Sequence, residues 1–167
     1  MLDLVLLFAF PAAVAFAGAT DLFSMTIPNR ISLAMIAGFI CVAPFAGLGL
    51  EAMAWHFAAG LLVLLVTAGM FFMGWIGGGD AKLTAAVALW IGFDLLVKYL
   101  IVASLLGGVL SLAFIVFRKL PLPASAIRQI WIARLHAPKG GIPYGIALAA
   151  AAIIIYPETL IYGARSG

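Results

Sequence analysis

The sequence predicts an all-α, polytopic integral membrane protein with about six transmembrane helices and both termini on the outer side. Three observations carry that expectation. Hydrophobic residues make up 66% of the chain, well beyond the half expected of a soluble domain, and the mean hydropathy is +1.26. Apolar runs recur at the ~20-residue length that a helix needs to cross a bilayer. The basic residues gather in alternate connections between those runs, as membrane topology requires. The 167 residues are too few for several domains, so one membrane-embedded domain over 1–167 is expected, with a basic cytoplasmic loop at about 118–141. The net charge of +3 says less than the placement of the charges. The single cysteine, Cys41, excludes an internal disulfide and any multi-cysteine metal site.

The elements follow in order. Leu2–Thr20 is the first span. Its leading charge is Asp3, and no basic residue precedes Arg30, so it reads as a retained span and not as a cleaved leader. Ile31–Leu50 is the second span and Ala54–Ile76 the third. Leu83–Phe117 is too long for one span and is expected to split near Phe93–Tyr99, where Asp94 and Lys98 face the headgroups. A single tilted helix would strand both charges in hydrocarbon, and even as an i,i+4 pair their burial costs several kcal/mol. Ile142–Tyr162 is the last span.

Six spans put Asp21–Arg30, Gly77–Lys82 and Arg118–Gly141 on one side, with seven basic residues against Lys98 and Arg165 on the other. That side is expected to be cytoplasmic. A five-span arrangement would move Arg118–Lys139 across and spoil the bias. Within the basic loop Pro121 and Pro123 break any helix at its start. Beyond them Ile127, Ile130, Trp131 and Leu135 fall on one helical face, with His136 turned away and Arg134 snorkelling from within it. A short helix in the headgroup layer is expected there. No internal repeat or low-complexity tail is present.

With charged residues at only 9% of the chain, each acid calls for a reason. Asp3, Glu51, Asp94 and Glu158 fall at or near the outer face and read as interface residues. Asp21 and Asp80 alone fall on the inner side. Spans two and three form a hairpin between them, so both carboxylates return to the same membrane depth. Two close carboxylates cannot both ionise cheaply. Such a pair activates a water and protonates a leaving amine, as in aspartic proteases, and the shared proton belongs to the pair rather than to either member. Gly77, Gly78 and Gly79 bring backbone to this place without side-chain bulk, which lets an extended peptide approach Asp80. Asp80 near the start of the fourth span also meets the positive end of the helix dipole.

Bland readings stand beside these. Asp is a favoured N-cap, Gly-rich turns between spans are ordinary, and Asp21 fits an interfacial loop. Pro28 suits the first turn of the next span. Lys82 reads as a positive-inside anchor with at most a minor electrostatic part in the site. His56 and His136 fall on opposite sides and share no metal; no serine lies beside a histidine as a triad would need; and the GGGDAK stretch lacks phosphate-loop spacing.

The residues also carry a resemblance. Gly77-Gly78-Gly79-Asp80 matches the G-x-G-D signature of polytopic aspartic proteases. Asp21 followed by Ile27-Pro28-Asn29 resembles the type IV prepilin peptidases, and Lys139–Ala149 resembles the Pro-Tyr-Gly opening of their last span. The three motifs occur in family order and on one predicted side, over almost the whole chain. The resemblance implies a membrane-embedded peptidase with no metal and no cofactor. It would cut the leader from prepilins at the cytoplasmic face of the bacterial inner membrane, with Asp21 and Asp80 as its paired aspartates. Its partners would be a pilin-like membrane substrate and the lipid bilayer, not nucleic acid. Signal peptide peptidases and presenilins share G-x-G-D, but their first aspartate lies deeper in a span. The long forms of the family carry a cytoplasmic domain with paired cysteines and methylate the new N-terminus. Neither feature is in this sequence, so no methyltransferase activity is expected, and the chain resembles the short form that serves tight-adherence (Flp-type) pili. Two other classes fit the same composition: a non-catalytic membrane subunit of a secretion or pilus machine, and a small ion-coupled transporter.

Overall fold

The computed structural model describes residues 2–138 and 140–163. Among them every regular element is helical: α1 (Leu2–Ser24), α2 (Asn29–Val42), α3 (Leu50–Phe72), α4 (Gly78–Phe117), the short α5 (Ala124–Ile127) and α6 (Ile130–His136), α7 (Gly145–Ile155) and, after a 3-10 turn at Tyr156–Glu158, α8 (Leu160–Gly163). Three helices are long and apolar enough to cross a membrane, within Leu7–Ser24, Leu50–Phe72 and Gly78–Phe117, and Asn29–Val42 and Gly145–Glu158 are shorter apolar helices. The second predicted span is cut short. It stops at Val42, and a turn through Pro44 and Gly47, whose φ is 76°, precedes α3. Arg165 lies outside the described residues, as do Lys139 and the side chain of Asp3.

The decisive feature is inside α4. Gly92 holds φ 69° and ψ −177°, a backbone that only glycine adopts without strain. The break frees the carbonyl of Leu89, and His56 of α3 takes it through Nδ1 at 2.8 Å. The two arms of α4 then lie side by side. Tyr99 stands beside Thr84, which a straight helix would hold about 22 Å away at ~1.5 Å per residue. Contacts along α7 trace the same reversal: Tyr156 meets Trp90, Glu158 meets Lys98, and Tyr144, just before α7, meets Ser111. The turn comes one residue before the expected Phe93–Tyr99 split. Lys98 does not pair with Asp94; its Nζ reaches both Glu158 oxygens, at 2.5 and 2.7 Å.

The core forms where α1, α2, the first arm of α4 and α7 converge. Phe10 stacks on Tyr156 at 4.7 Å and leans on Trp90 at 5.1 Å, while Trp90 donates its indole N–H to the Met35 carbonyl at 2.9 Å. Phe39 closes the cluster against Trp90 and His56. α1 and α7 meet through small side chains. A Cβ on Gly18 would come within 3.1 Å of the Ala149 Cβ and 3.3 Å of the Gly145 carbonyl, the close approach that glycine and alanine permit between membrane helices.

The basic loop is organised differently from the single amphipathic helix expected. It breaks at Gln129 into α5 and α6. Leu135 is buried, but Ile127 and Ile130 are exposed, so the apolar face does not close. Hydrogen bonds to backbone carbonyls hold the loop instead: Arg118 donates to Leu135 O at 2.9 Å and Gly141 O at 2.7 Å, and His136 Nε2 lies 2.9 Å from Leu120 O. Trp131 packs edge-on against Phe23 at the end of α1.

Candidate active site

The close approach of α1 and α7 positions the first carboxylate. One turn beyond Gly18, Asp21 is buried in the last turn of α1, which runs to Ser24, four residues past the expected end of the span. Its Oδ2 accepts the N–H of Gly145, the first residue of α7, at 2.8 Å. That N–H has no partner within its own helix, and the helix end favours a negative charge beside it. A side chain at 145 has no room, since its Cβ would lie 2.8 Å from Asp21 Oδ2.

The second carboxylate belongs to the first turn of α4. Asp80 folds back beside Gly77, where a Cβ at 77 would stand 2.9 Å from Asp80 Oδ2. Thr84 fastens the turn from below by donating to the Asp80 carbonyl at 2.7 Å. The two acids face the same cavity of about 1030 Å³, and the charge of Asp21 acts on Asp80.

Ile27 joins the pieces. It packs where a Cβ on Gly79 would meet its Cβ at 3.1 Å and where a Cβ on Gly145 would meet its Cδ1 at 2.9 Å. The segment after α1, the glycine turn before α4 and the start of α7 therefore share one apolar wedge. Lys82 adds a polar tie, with Nζ 2.8 Å from Asn29 Oδ1. Of the three glycines, Gly77 lines the cavity. Gly78 packs against the Phe71 ring and Gly79 against Ile27, and both already belong to α4. The bare stretch therefore serves helix packing at two of its positions and faces the cavity at one.

The cavity owes its size to the break at Gly92. One wall is Asp80 and Thr84 on the first arm of α4; the opposite wall is Ala103, Gly107 and Gly108 on the second. Trp75 and Arg134 stand at its rim. Sequence reasoning missed Gly145 as a donor, Ile27 as the wedge, and Thr84 and Arg134 as lining. Only Thr84, one helical turn from Asp80, leaves a trace in the sequence spacing. His56 and His136 lie apart, one at the α4 break and one within the basic loop.

Set against known proteins, residues 8–112 match the model of the type IV leader peptidase family, more than half of the chain. The matched stretch contains both acids and the break at Gly92. No curated protein and no solved structure matches.

Proposed function

The chain belongs to the type IV leader peptidase family, and from that premise we propose that it is an aspartic endopeptidase that removes the leader of type IV or Flp-type prepilins. Asp21 and Asp80 act as the pair. The observation that carries this reading is their convergence on one cavity from helices far apart in sequence. One carboxylate takes a proton from a water, whose oxygen attacks the scissile carbonyl carbon. The protonated partner donates to the carbonyl oxygen. Proton transfer to the peptide nitrogen then breaks the C–N bond, releasing the leader's carboxyl group and the mature amine and restoring the one-proton pair.

The site faces the cytoplasm in a six-pass arrangement with both termini outside, the two arms of α4 crossing separately. Several features support this. Trp55 and Trp75, both exposed, stand at opposite ends of α3, as interfacial aromatics do. Arg118 and Arg134 lie at the cavity end, and Lys98 and Glu158 at the other. A prepilin helix held in the bilayer would present its junction with the polar leader at the depth of the acids.

Asp21 accepts a helix-terminal N–H and Asp80 stands in the first turn of α4, so capping is the rival to exclude. Asn is itself a good cap and costs little there. Asp21→Asn and Asp80→Asn are therefore each expected to leave the protein inserted and its melting nearly unchanged, while prepilin processing falls by at least about 10²–10⁴-fold. Processing that survives in both variants would refute the proposal. Uncleaved pilin accumulating without any ion-flux defect separates it from a transporter.

A further inference from the structure

A second cavity, apart from the aspartates and unused by the proposed chemistry, opens between α2 and α3 over the first arm of α4. It measures about 390 Å³, within the ~300–1,000 Å³ of sites for small ligands. Its body is apolar, built from Leu33, Ile36, Phe57, Leu61, Leu64 and Leu89. Its polar groups gather at one end: Lys82, Asn29 and Ser32. Lys82 is exposed; it bonds a neutral amide, and no carboxylate stands within ion-pair distance of it among the described residues. The start of α2 beside it has no acid in its first turn and no side-chain cap, which leaves a positive helix end. The Ser32 hydroxyl in the wall is buried at 7% residue exposure and finds no hydrogen-bond partner.

We propose that this groove binds an anionic phospholipid, with one acyl chain along the apolar body and the phosphate on Lys82 at the start of α2. The ligand that fits has one anionic end and a long hydrocarbon body, and its charge falls at the end of the bundle read as cytoplasmic. A second copy of the chain fits poorly. At this end its own acids are Asp21 and Asp80, which face the other cavity, so it offers Lys82 no free carboxylate. The same Lys82 holds Asn29, two residues beyond Ile27, so a seated headgroup steadies the segment that wedges the aspartates.

The test is titration of the full-length protein in detergent with phosphatidylglycerol or phosphatidylcholine, read by native mass spectrometry. Phosphatidylglycerol is expected to bind saturably at one molecule per chain and in preference to phosphatidylcholine. Lys82→Gln should weaken it about fivefold, the worth of one lysine at an anionic surface, and Lys82→Arg should retain it. Leu61→Trp, from an exposed position, should fill the groove and abolish binding; Leu33→Trp does the same from the facing helix should the first variant lose its melting transition. Competition by glycerol phosphate would show a phosphate site without a lipid and overturn the proposal. So would unchanged binding in both tryptophan variants, or their converting a dimer into a monomer, which would place a second copy in the groove. Each readout is independent of prepilin cleavage.

Discussion

The two arms of α4 are continuous in sequence and opposite in character. From Leu83 to Gly92 every residue of the first arm is buried, with α1, α2, α3 and α7 around it. The second arm buries only Leu96, Tyr99, Ala103 and Gly107, a stripe three or four residues apart. Its remaining residues point to the cavity or outward, where Val97, Leu105 and Val109 are exposed. The first arm is a post that fixes Asp80; the second is a wall that shapes the space in front of it. Both are strongly apolar, so hydropathy alone does not separate them. What separates them is whether all sides meet protein or one side does.

That contrast can be broken hardest at Trp90. Its ring is 1% exposed, touches Phe10, Phe39 and Tyr156, and spends its N–H on Met35. Trp90→Ala is expected to cost about 3–5 kcal/mol and to lower thermal stability in detergent sharply. A small loss would mean the first arm is not the post described. Gly92→Ala comes next. The residue would hold φ 69° with its Cβ about 3.0 Å from the His56 ring, so a loss of about 1–3 kcal/mol is expected. Stability equal to that of the unaltered chain would show that the arms can join as one helix.

The sequence reports the two arms unevenly, for physical reasons. The need to divide Leu83–Phe117 was visible in Asp94 and Lys98, because charge in hydrocarbon is costly. The place of division was not, since a glycine at positive φ looks like any other glycine in an apolar run and only the backbone reveals it. That Asp21 and Asp80 line one cavity agrees with the expected hairpin of helices between them. Ile27 and Gly145 escaped because the donor acts across 124 residues and the wedge reaches both Gly79 and Gly145, separations where no spacing rule applies. The basic loop misled through periodicity. Ile127, Ile130, Trp131 and Leu135 share a helical face on paper, but Arg118 and His136 bond the loop's own carbonyls and hold a broken path instead.

Gly108 sharpens the contrast in the opposite direction. It lines the cavity on the second arm, and a Cβ there meets nothing within 4 Å. Gly108→Leu should therefore leave melting unchanged or raise it by up to about 1 kcal/mol, since leucine favours a helix over glycine by roughly that amount. The same side chain would occupy space that the proposed prepilin uses. A KM raised roughly tenfold, with kcat less affected, is the expected outcome of an altered pocket. Greater stability with unaltered processing would place the substrate elsewhere.

The smallest effect tests where the arms turn. Lys98 and Glu158 form the ion pair beside the reversal, with their side chains 53% and 45% exposed. In a water-screened headgroup layer such a pair contributes at most about 1 kcal/mol, so a double-mutant cycle with Lys98→Ala and Glu158→Ala should return a coupling near or below that. In hydrocarbon the screening vanishes, and removing one partner strands the other at about 3–5 kcal/mol. Single substitutions of that severity would move the reversal from the bilayer surface proposed for it into the interior. The proposed return of the second arm from the outer face, and the proposed six-pass arrangement with it, would then fall, even though Asp21 and Asp80 still shared one cavity.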